Sequence, residues 1–274
     1  VRTLRSNGVS VYVPPQQCCG MPSLLEGDAP TALSRMGANL ETLLQALKDG
    51  YDLVCSCPTC GFLMKVLLKE GAFYSTAYQK SVSGNESEMW VPGHAAGKTG
   101  FMRLKKSIYS KILTDNSYFS DLAPLERIAL SESIMDLGEY LYRRQGRNCL
   151  NTKFKSLAGR MAYYAPCHQR EQGIGSPYLG LLSNIPDLKV EQVGNPMDCC
   201  GMGGSLGYKQ GFYDKANRLA EPLMRKIQAA RPEAIITDCL SCRLQFQHLL
   251  PYPVFHPAEI LARGYQKGVG TNGA

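Results

Sequence analysis

The sequence predicts an α/β protein made of two copies of one unit, each a small parallel sheet flanked by helices with cysteine ligands at the strand C-terminal ends. Short β-branched runs alternate with longer stretches whose apolar residues recur at helical spacing, a pattern that indicates parallel strands joined by helices. One cysteine pattern occurs twice in the same order, as a vicinal pair before a glycine and then a Cys-x-x-Cys pair: Cys18-Cys19-Gly20 with Cys57 and Cys60, and Cys199-Cys200-Gly201 with Cys239 and Cys242. The similar spacing within the two copies indicates an internal duplication.

The length and composition are typical of a globular protein with two domains. The chain has 274 residues, of which 44% are hydrophobic and 19% charged, so each half can bury a core without disulfides. An apolar run of about 18 residues, as a transmembrane helix needs, is not present. The net charge of +7 is not concentrated in an aromatic-rich basic face, which argues against a nucleic-acid partner. The 11 cysteines are odd in number and come mostly as close pairs, which favours metal-bound thiolates in a reducing cytoplasm over disulfides.

Periodicity gives an order of elements for each part of the chain. The predicted domains are a first cysteine domain at 1–79, a connector with helices at 80–150, a second cysteine domain at 151–265 and a flexible tail at 266–274. In the first domain we expect a strand at 9–13, a helix at 31–48, a strand at 52–54 and a helix at 61–69. In the connector we expect a loop at 81–100, with a solvated His94 and a packed Trp90, and helices at 102–113 and 125–142. In the second domain we expect strands at 160–165, 188–193, 233–237 and 253–255, and helices at 212–230, 243–249 and 258–264, with Pro222 opening a new helix.

The proposed ligand segments all follow predicted strands, so they should meet at one edge of the sheet. In the second half the candidates are Cys167, Cys199, Cys200, Cys239 and Cys242, and in the first half Cys18, Cys19, Cys57 and Cys60. Five thiols exceed the four ligands that a zinc site takes, and a vicinal pair does not chelate one ion easily. Thiolate ligation of an iron–sulfur cluster uses the set more naturally.

Residues beside these cysteines suit the same chemistry. Gly201, Gly203 and Gly204 let backbone N–H groups approach cluster sulfurs closely. The pair Cys239 and Cys242 opens a helix, whose dipole favours an anionic cluster. Four further residues are expected to be secondary: Cys55 and Cys149 as spare thiols, and His168 and His256 as structural groups rather than ligands. A Cys-x-x-Cys pair also suits zinc or a redox dithiol, but those readings leave Cys167 and both vicinal pairs unexplained.

The motifs of the second half resemble those of the cysteine-rich CCG-domain family. This family includes the B subunit of heterodisulfide reductase, lactate-utilisation and glycolate oxidase iron–sulfur subunits, and the C subunit of anaerobic glycerol-3-phosphate dehydrogenase, to which the likeness is greatest. The resemblance rests on Tyr163-Tyr164-Ala165-Pro166-Cys167-His168, Cys199-Cys200-Gly201-Met202-Gly203-Gly204, Thr237-Asp238-Cys239-Leu240-Ser241-Cys242 and His256-Pro257-Ala258-Glu259-Ile260-Leu261.

The resemblance implies an iron–sulfur subunit that carries electrons in anaerobic respiration, from a flavoprotein dehydrogenase toward quinone or another acceptor. It implies 4Fe-4S clusters, which are non-cubane in some relatives. The five second-half cysteines would hold one cluster, and Cys18, Cys19, Cys57 and Cys60 would hold another if the first site is occupied. It implies a cytoplasmic subunit with peripheral contact to the inner membrane as a further expectation. A catalytic (hetero)disulfide reductase subunit that cleaves a disulfide at a CCG-bound cluster and a zinc-stabilised structural module remain as alternatives.

Two features depart from the family pattern. The first half has no cysteine ahead of Cys18, and the chain lacks the ferredoxin-type cysteine run that the dehydrogenase subunit carries at its N-terminus. Both absences fit a chain that is truncated at its N-terminus. Otherwise the first site has four cysteines and suits a cubane cluster, zinc or no metal, with Cys55 available as a fifth thiol.

Overall fold

The structure, a computed structural model, describes residues 1–82, 87–95 and 98–265. Its strands, in chain order, are β1 (Leu53–Cys55), β2 (Glu88–Ala95), β3 (Lys98–Lys105), β4 (Ile134–Asp136), β5 (Gly159–Tyr163), β6 (Leu188–Gln192), β7 (Ala234–Ile236) and β8 (Val254–Phe255). The α-helices are α1 (Arg2–Arg5), α2 (Met21–Leu25), α3 (Ala29–Lys48), α4 (Pro58–Phe62), α5 (Thr76–Val82), α6 (Lys106–Tyr109), α7 (Pro124–Ser133), α8 (Leu137–Gly146), α9 (Cys167–Arg170), α10 (Pro177–Leu182), α11 (Tyr213–Ala229), α12 (Leu240–Leu249) and α13 (Pro257–Gly264). A π-helical turn, Leu63–Leu67, follows α4 directly, and short 3-10 turns lie at Ala72–Tyr74, Leu206–Tyr208 and Gln210–Phe212.

The chain forms two compact units that interleave along the sequence. One unit comprises Val1–Val13, Val54–Gly61 and Met135–Ala274, and the other comprises Pro14–Leu53 and Phe62–Ile134. The limits of these units differ from the domain limits expected from the cysteine repeat. The expected domain limits describe the duplication of the sequence, and they stay a prediction.

A parallel four-stranded sheet organises the first of these units. Its strands lie in the order β6-β5-β7-β8, and β5 pairs with both β6 and β7. Alternate residues of β5 point to opposite faces: Tyr163 packs with α8, α10 and α13, whereas Ala162 belongs with α11 and α12 to the other core. Helices on both faces of a parallel sheet confirm the predicted α/β class.

The second unit contains α3 and an antiparallel hairpin. The hairpin pairs β2 with β3, and Met89 and Val91 on β2 are buried. Leucines at helical spacing predicted α3, and the structure confirms it, with Asp28 accepting a hydrogen bond from the Thr31 backbone N–H at its start. Among the described residues, no helix is both long and apolar enough to cross a bilayer.

Several expected elements are wrong. The expected loop at 81–100 contains β2 and the start of β3, because burial of Met89 and Val91 outweighs the loop preference of Pro92 and Gly93. Trp90 does pack there, beneath the Arg103 guanidinium at 4.7 Å from the ring centroid, while the side chain of His94 lies outside the described residues. The expected helix at 102–113 is only partly helical: it contains the end of β3, then α6, and turns at 110–113.

Three further differences concern strand and helix limits. Residues 9–13 are not a strand, although Val9 packs against the core. The expected helix at 125–142 is split by β4. Pro222 lies inside α11 rather than at the start of a new helix. It is tolerated on the solvent-exposed side, where the carbonyl that loses its N–H donor can bind water. The expected tail at 266–274 lies outside the described residues.

Candidate metal centre

The five second-half cysteines follow three strands of the parallel sheet. Cys167 begins α9, four residues after β5 ends. Cys199 and Cys200 lie in the loop after β6. Cys239 is the N-terminal cap of α12, and Cys242 lies in its first turn. The three segments thus reach one edge of the sheet, as the strand order predicts.

Hydrogen bonds link Cys199, Cys200, Cys239 and Cys242 into one network, and the charges of Cys200 and Cys239 act on Cys167. The Cys242 thiol donates to the Cys200 sulfur at 3.0 Å. Cys200, Cys239 and Cys242 are 5%, 6% and 2% exposed, whereas Cys167 and Cys199 are half-buried. The site therefore has a buried side and a side that solvent reaches.

Shared protons divide the thiols into donors and acceptors. Hydrogen bonds from Cys199 and Cys242 lower the pKa of Cys200 to about 4. A hydrogen bond from Cys242 lowers the pKa of Cys239. The pKa values of the donors Cys199 and Cys242 are raised, because donating a hydrogen bond favours the protonated form. Burial, followed by the charges of Cys200 and Cys239, also raises the pKa of Cys167. The thiols thus influence one another's ionisation, as expected for members of one site.

The three glycines after the vicinal pair all adopt left-handed backbone. Gly201, Gly203 and Gly204 have φ angles of 88°, 49° and 70°. The Gly201 N–H donates to the Cys199 sulfur at 3.3 Å. A Cβ on Gly201 would lie 2.0 Å from the Ala216 carbonyl oxygen, so α11 packs directly on this glycine. The Gly201 contact is consistent with the predicted role of these glycines beside a cofactor. Their role in binding a cofactor stays a prediction.

Two side chains with no role assigned from the sequence, those of Tyr164 and Arg170, hold the cysteine segments together. The Tyr164 hydroxyl donates to the Asp198 carbonyl oxygen at 2.9 Å, next to Cys199. Arg170 donates to the carbonyl oxygens of Ala165 at 2.6 Å and Pro196 at 3.1 Å, on either side of the site. These contacts fix the segment before Cys167 relative to the loop that carries Cys199. Tyr164 and Arg170 lie in or next to a recognised motif, but only the folded chain shows what they bind.

An ion pair also anchors the loop that carries the vicinal pair. The Lys226 ammonium group on α11 contacts the two Asp198 carboxylate oxygens at 2.9 and 2.7 Å. Desolvation would raise the pKa of Asp198, but hydrogen bonds from Lys226 and from the Asn195 backbone outweigh it, and the net pKa is lowered. The carboxylate is therefore charged at neutral pH.

Two other arginines near the cysteine segments make structural contacts. Arg160 donates to the Arg231 carbonyl oxygen at 2.6 Å, and Arg243 pairs with Glu259 at 3.1 Å. Both are engaged within the fold.

The first-half pair Cys57 and Cys60 lies in the same unit as the five second-half thiols. A hydrogen bond from Cys60 lowers the pKa of Cys57 to about 6, so Cys57 is largely a thiolate at neutral pH. The Cys55 thiol donates to the Cys57 carbonyl oxygen at 3.3 Å. His168 Nδ1 lies 2.9 Å from the Thr59 hydroxyl, and the His256 Nε2–H donates to the Ser56 carbonyl oxygen at 3.2 Å. Both histidines thus hold the segment that carries Cys57.

The first vicinal pair belongs to the other compact unit. Cys18 is exposed and Cys19 is buried. The Asn39 side chain accepts from the Gln17 N–H at 2.8 Å and donates to the Cys18 carbonyl oxygen at 3.3 Å, which fixes the backbone ahead of the pair. A metal site shared by this pair and Cys57 and Cys60 stays a prediction.

The buried carboxyl of Asp238, next to Cys239 in the sequence, was not expected. Asp238 is buried, and neither carboxyl oxygen has a hydrogen-bond partner. Burial raises the pKa of Asp238 well above its ordinary value, and the charges of Asp136 and Cys239 act in the same direction. Burial thus favours the neutral, protonated form of Asp238.

The second-half thiols suit a thiolate-bound cluster by their number and chemistry. Within the part of the chain that the structure describes, no three His, Cys, Asp or Glu side chains are arranged to hold a single metal ion. Two thiolates on one tetrahedral ion lie about 3.8 Å apart, so the Cys200 and Cys242 sulfurs, now at 3.0 Å, must separate to bind metal. Five thiols from three segments fit an iron–sulfur cluster, whose ligands bind different irons.

Comparison with known proteins gives the same family as the motifs. The cysteine-rich domain called CCG matches residues 1–65 and 161–247, more than half of the chain. The chain is 25% identical to the C subunit of the anaerobic glycerol-3-phosphate dehydrogenase of Escherichia coli over 231 residues, which cover 84% of this chain and 55% of the relative. It is 23% identical to the B subunit of the fumarate reductase (CoM/CoB) of Methanothermobacter marburgensis over 253 residues, or 91% of this chain and 38% of the relative.

A third relative is an iron–sulfur protein of Methanocaldococcus jannaschii, 25% identical over 252 residues, which cover 91% of this chain and 37% of the relative. The chain thus spans about half or less of the length of these relatives. Because the family match includes both cysteine repeats and most of the segments that form the thiol network, the chain belongs to the CCG cysteine-rich domain family.

Proposed function

We propose that the chain is an iron–sulfur electron-transfer subunit of an oxidoreductase complex. The observation that carries this proposal is the thiol network of the second half, in which five cysteines on three strand ends influence one another's ionisation. The names of the relatives support it, since they are subunits of a dehydrogenase and a reductase and an iron–sulfur protein. A cluster bound there would accept and release single electrons.

The residues of this chain would hold and tune that cluster. Cys167, Cys199, Cys200, Cys239 and Cys242 would supply the thiolates, and the lowered pKa values of Cys200 and Cys239 favour the deprotonated form that ligation needs. The Gly201 N–H would donate to a ligand sulfur, which raises the reduction potential. The electron donor would be a flavoprotein subunit, such as that of a glycerol-3-phosphate dehydrogenase, and the acceptor quinone or another carrier.

The test is metal content and redox behaviour of paired cysteine variants after anaerobic purification. We expect about four irons and four sulfides per occupied site, with a paramagnetic signal that appears or disappears on reduction. Cys200→Ser should remove the iron of the second-half site, whereas Cys149→Ser, which changes an exposed thiol outside the network, should not. Iron-free protein, or equal loss in both variants, would overturn the proposal.

Disulfide reduction is the second candidate, and the state of Cys57 favours it. The pKa of Cys57, near 6, makes it a nucleophilic thiolate beside Cys60. Disulfide cleavage by this pair would begin with attack of the Cys57 thiolate on the substrate disulfide, and Cys60 would then resolve the mixed disulfide. Thiol release from a mixed-disulfide substrate by the reduced protein, lost in Cys57→Ser but kept in Cys149→Ser, would establish it. Unchanged thiol release in Cys57→Ser would exclude it.

A further inference from the structure

One continuous segment of the second unit exposes both apolar and basic side chains. In residues 100–112, which we call the basic-apolar surface, every residue but Leu104 is exposed. Ile112, Ile108 and Phe101 are 71%, 54% and 51% exposed, and Met102 and Tyr109 are exposed as well. Apolar side chains grouped in this way mark an interaction site.

The charge of this surface has one sign. Its ionisable residues apart from Tyr109 are Arg103, Lys105, Lys106 and Lys111, and it contains no Asp or Glu. Arg103 is engaged by Glu88 at 3.7 Å and by the Trp90 ring. Across residues 1–82, 87–95 and 98–265, no salt bridge to Lys105, Lys106 or Lys111 is present. The three lysines are therefore free to bind an anionic partner.

The backbone beneath the surface is well supported. The end of β3 is paired with β2, and the Lys106 N–H donates to the Ser87 carbonyl oxygen at 2.9 Å. Helical hydrogen bonds continue past α6, since the Leu113 N–H donates to the Tyr109 carbonyl oxygen at 2.8 Å. Ile108 and Ile112, four residues apart on these turns, consequently face the same way. Regular turns therefore hold Ile108 and Ile112 on one side of the segment.

The type of basic residue on this surface favours a lipid bilayer over a protein as the partner. Protein interfaces are enriched in Arg and aromatic residues and depleted in Lys. The free cations here are all lysines, next to two exposed isoleucines. Lysines that bind lipid phosphates, beside aliphatic and aromatic side chains that enter the headgroup region, are typical of membrane-surface segments.

We propose that residues 100–112 bind the surface of an anionic lipid bilayer. Lys105, Lys106 and Lys111 would bind the phosphates, and Ile108 and Ile112 would enter the boundary between headgroups and acyl chains. The role of this binding rests on the proposed function, because the surface would bring an electron-transfer subunit to a membrane-bound acceptor. Binding itself does not depend on the cluster.

The test is co-sedimentation of the metal-loaded protein with vesicles of phosphatidylcholine alone and of phosphatidylcholine mixed with phosphatidylglycerol. We expect binding to the mixed vesicles only, weakened by salt. Each lysine contributes roughly a fivefold factor, so Lys105→Gln with Lys106→Gln should weaken binding about 25-fold. Ile108→Ser with Ile112→Ser should weaken binding and leave its salt dependence in place.

Matched controls use exposed residues of the same types elsewhere. Lys153→Gln with Lys155→Gln makes the same charge change, and Leu125→Ser with Leu219→Ser makes a similar apolar-to-polar change. Both controls should bind like the unmodified protein. No sedimentation with mixed vesicles, or equal loss in surface and control variants, would overturn the proposal, as would binding of an acidic protein but not vesicles through this surface. Iron content, measured on the same samples, reports separately on the proposed function.

Discussion

Gly201→Ala should release metal from the second-half site, because the added Cβ meets the backbone of α11. The Cβ would lie 2.0 Å from the Ala216 carbonyl oxygen and 2.9 Å from its carbonyl carbon. Backbone atoms cannot rotate away as a flexible side chain can, so either the loop or the helix must shift. A shift of the loop moves Cys199 and Cys200, which precede the glycine.

Two contributions set the size of the effect. A left-handed conformation, here with φ of 88°, costs an L-residue about 1–2 kcal/mol. Overpacking adds about 1–3 kcal/mol. The expected loss of about 2–5 kcal/mol corresponds to a fall in Tm of roughly 4–10 °C for a chain of this size. Tm and iron per chain, measured on anaerobically purified protein, are the assays.

Gly203→Ala is the matched control. Gly203 also has a positive φ, 49°, but the nearest atoms to its added Cβ are side-chain carbons of Leu206 at 3.8 Å. Only the conformational contribution of about 1–2 kcal/mol applies, and the iron should remain. If Gly201→Ala keeps its iron and its Tm as well as Gly203→Ala does, the close approach of α11 does not position the vicinal pair.

Three further substitutions test other parts of the structure. Arg170→Met should cost about 2–4 kcal/mol and lower iron retention, because the carbonyl oxygens of Ala165 and Pro196 lose a charged donor; iron content equal to that of the unmodified protein would contradict this. Arg127→Met should cost about 3–5 kcal/mol by leaving Asp115, its partner at 2.8 Å, unpaired in the second unit. Thermal unfolding should show that loss while the second-half iron is kept, and an unchanged Tm would refute it. Burial lowers the pKa of His256 below its ordinary 6.5, so its stabilising contribution is complete above pH 6.5 and is lost as the pH falls below that value. His256→Asn should therefore show a smaller fall in Tm between pH 7.5 and 5.5 than the unmodified protein, and parallel curves would count against this role.

Local patterns predicted the second-half sheet well. The strands β5, β6 and β7 are apolar runs next to cysteine segments, and each lies within two residues of its expected limits. Because parallel strands place their carboxyl ends on one edge, the grouping of the five thiols followed from strand order alone. The long helix α3 likewise followed from its leucine spacing.

Elements that depend on long-range contacts were not predictable in this way. The hairpin of β2 and β3 contains Pro92 and Gly93, whose local preference is for loops, and its stability comes from burying Met89 and Val91. The positioning contact of Arg170 with Pro196 joins segments 26 residues apart. A single sequence does not encode such pairings in its periodicity.

The first-half cysteines also show that a sequence pattern does not predict which segments pack together. The motif repeat named Cys18, Cys19, Cys57 and Cys60 as a set, but the chain divides them between two compact units. Repetition along the sequence predicts similar local geometry, and both glycines of the vicinal pairs do have positive φ, 92° at Gly20 and 88° at Gly201. It does not by itself predict which segments pack in one unit.

The most direct test of the central claim is the iron, sulfide and zinc content of the anaerobically purified chain, together with its visible spectrum. We expect brown protein with equal iron and sulfide, about four of each per occupied site. The metal should fall to the first-site content, or to none, when Cys200 is replaced by Ser. Colourless protein with stoichiometric zinc would contradict the electron-transfer function and identify the thiol network as a structural zinc site.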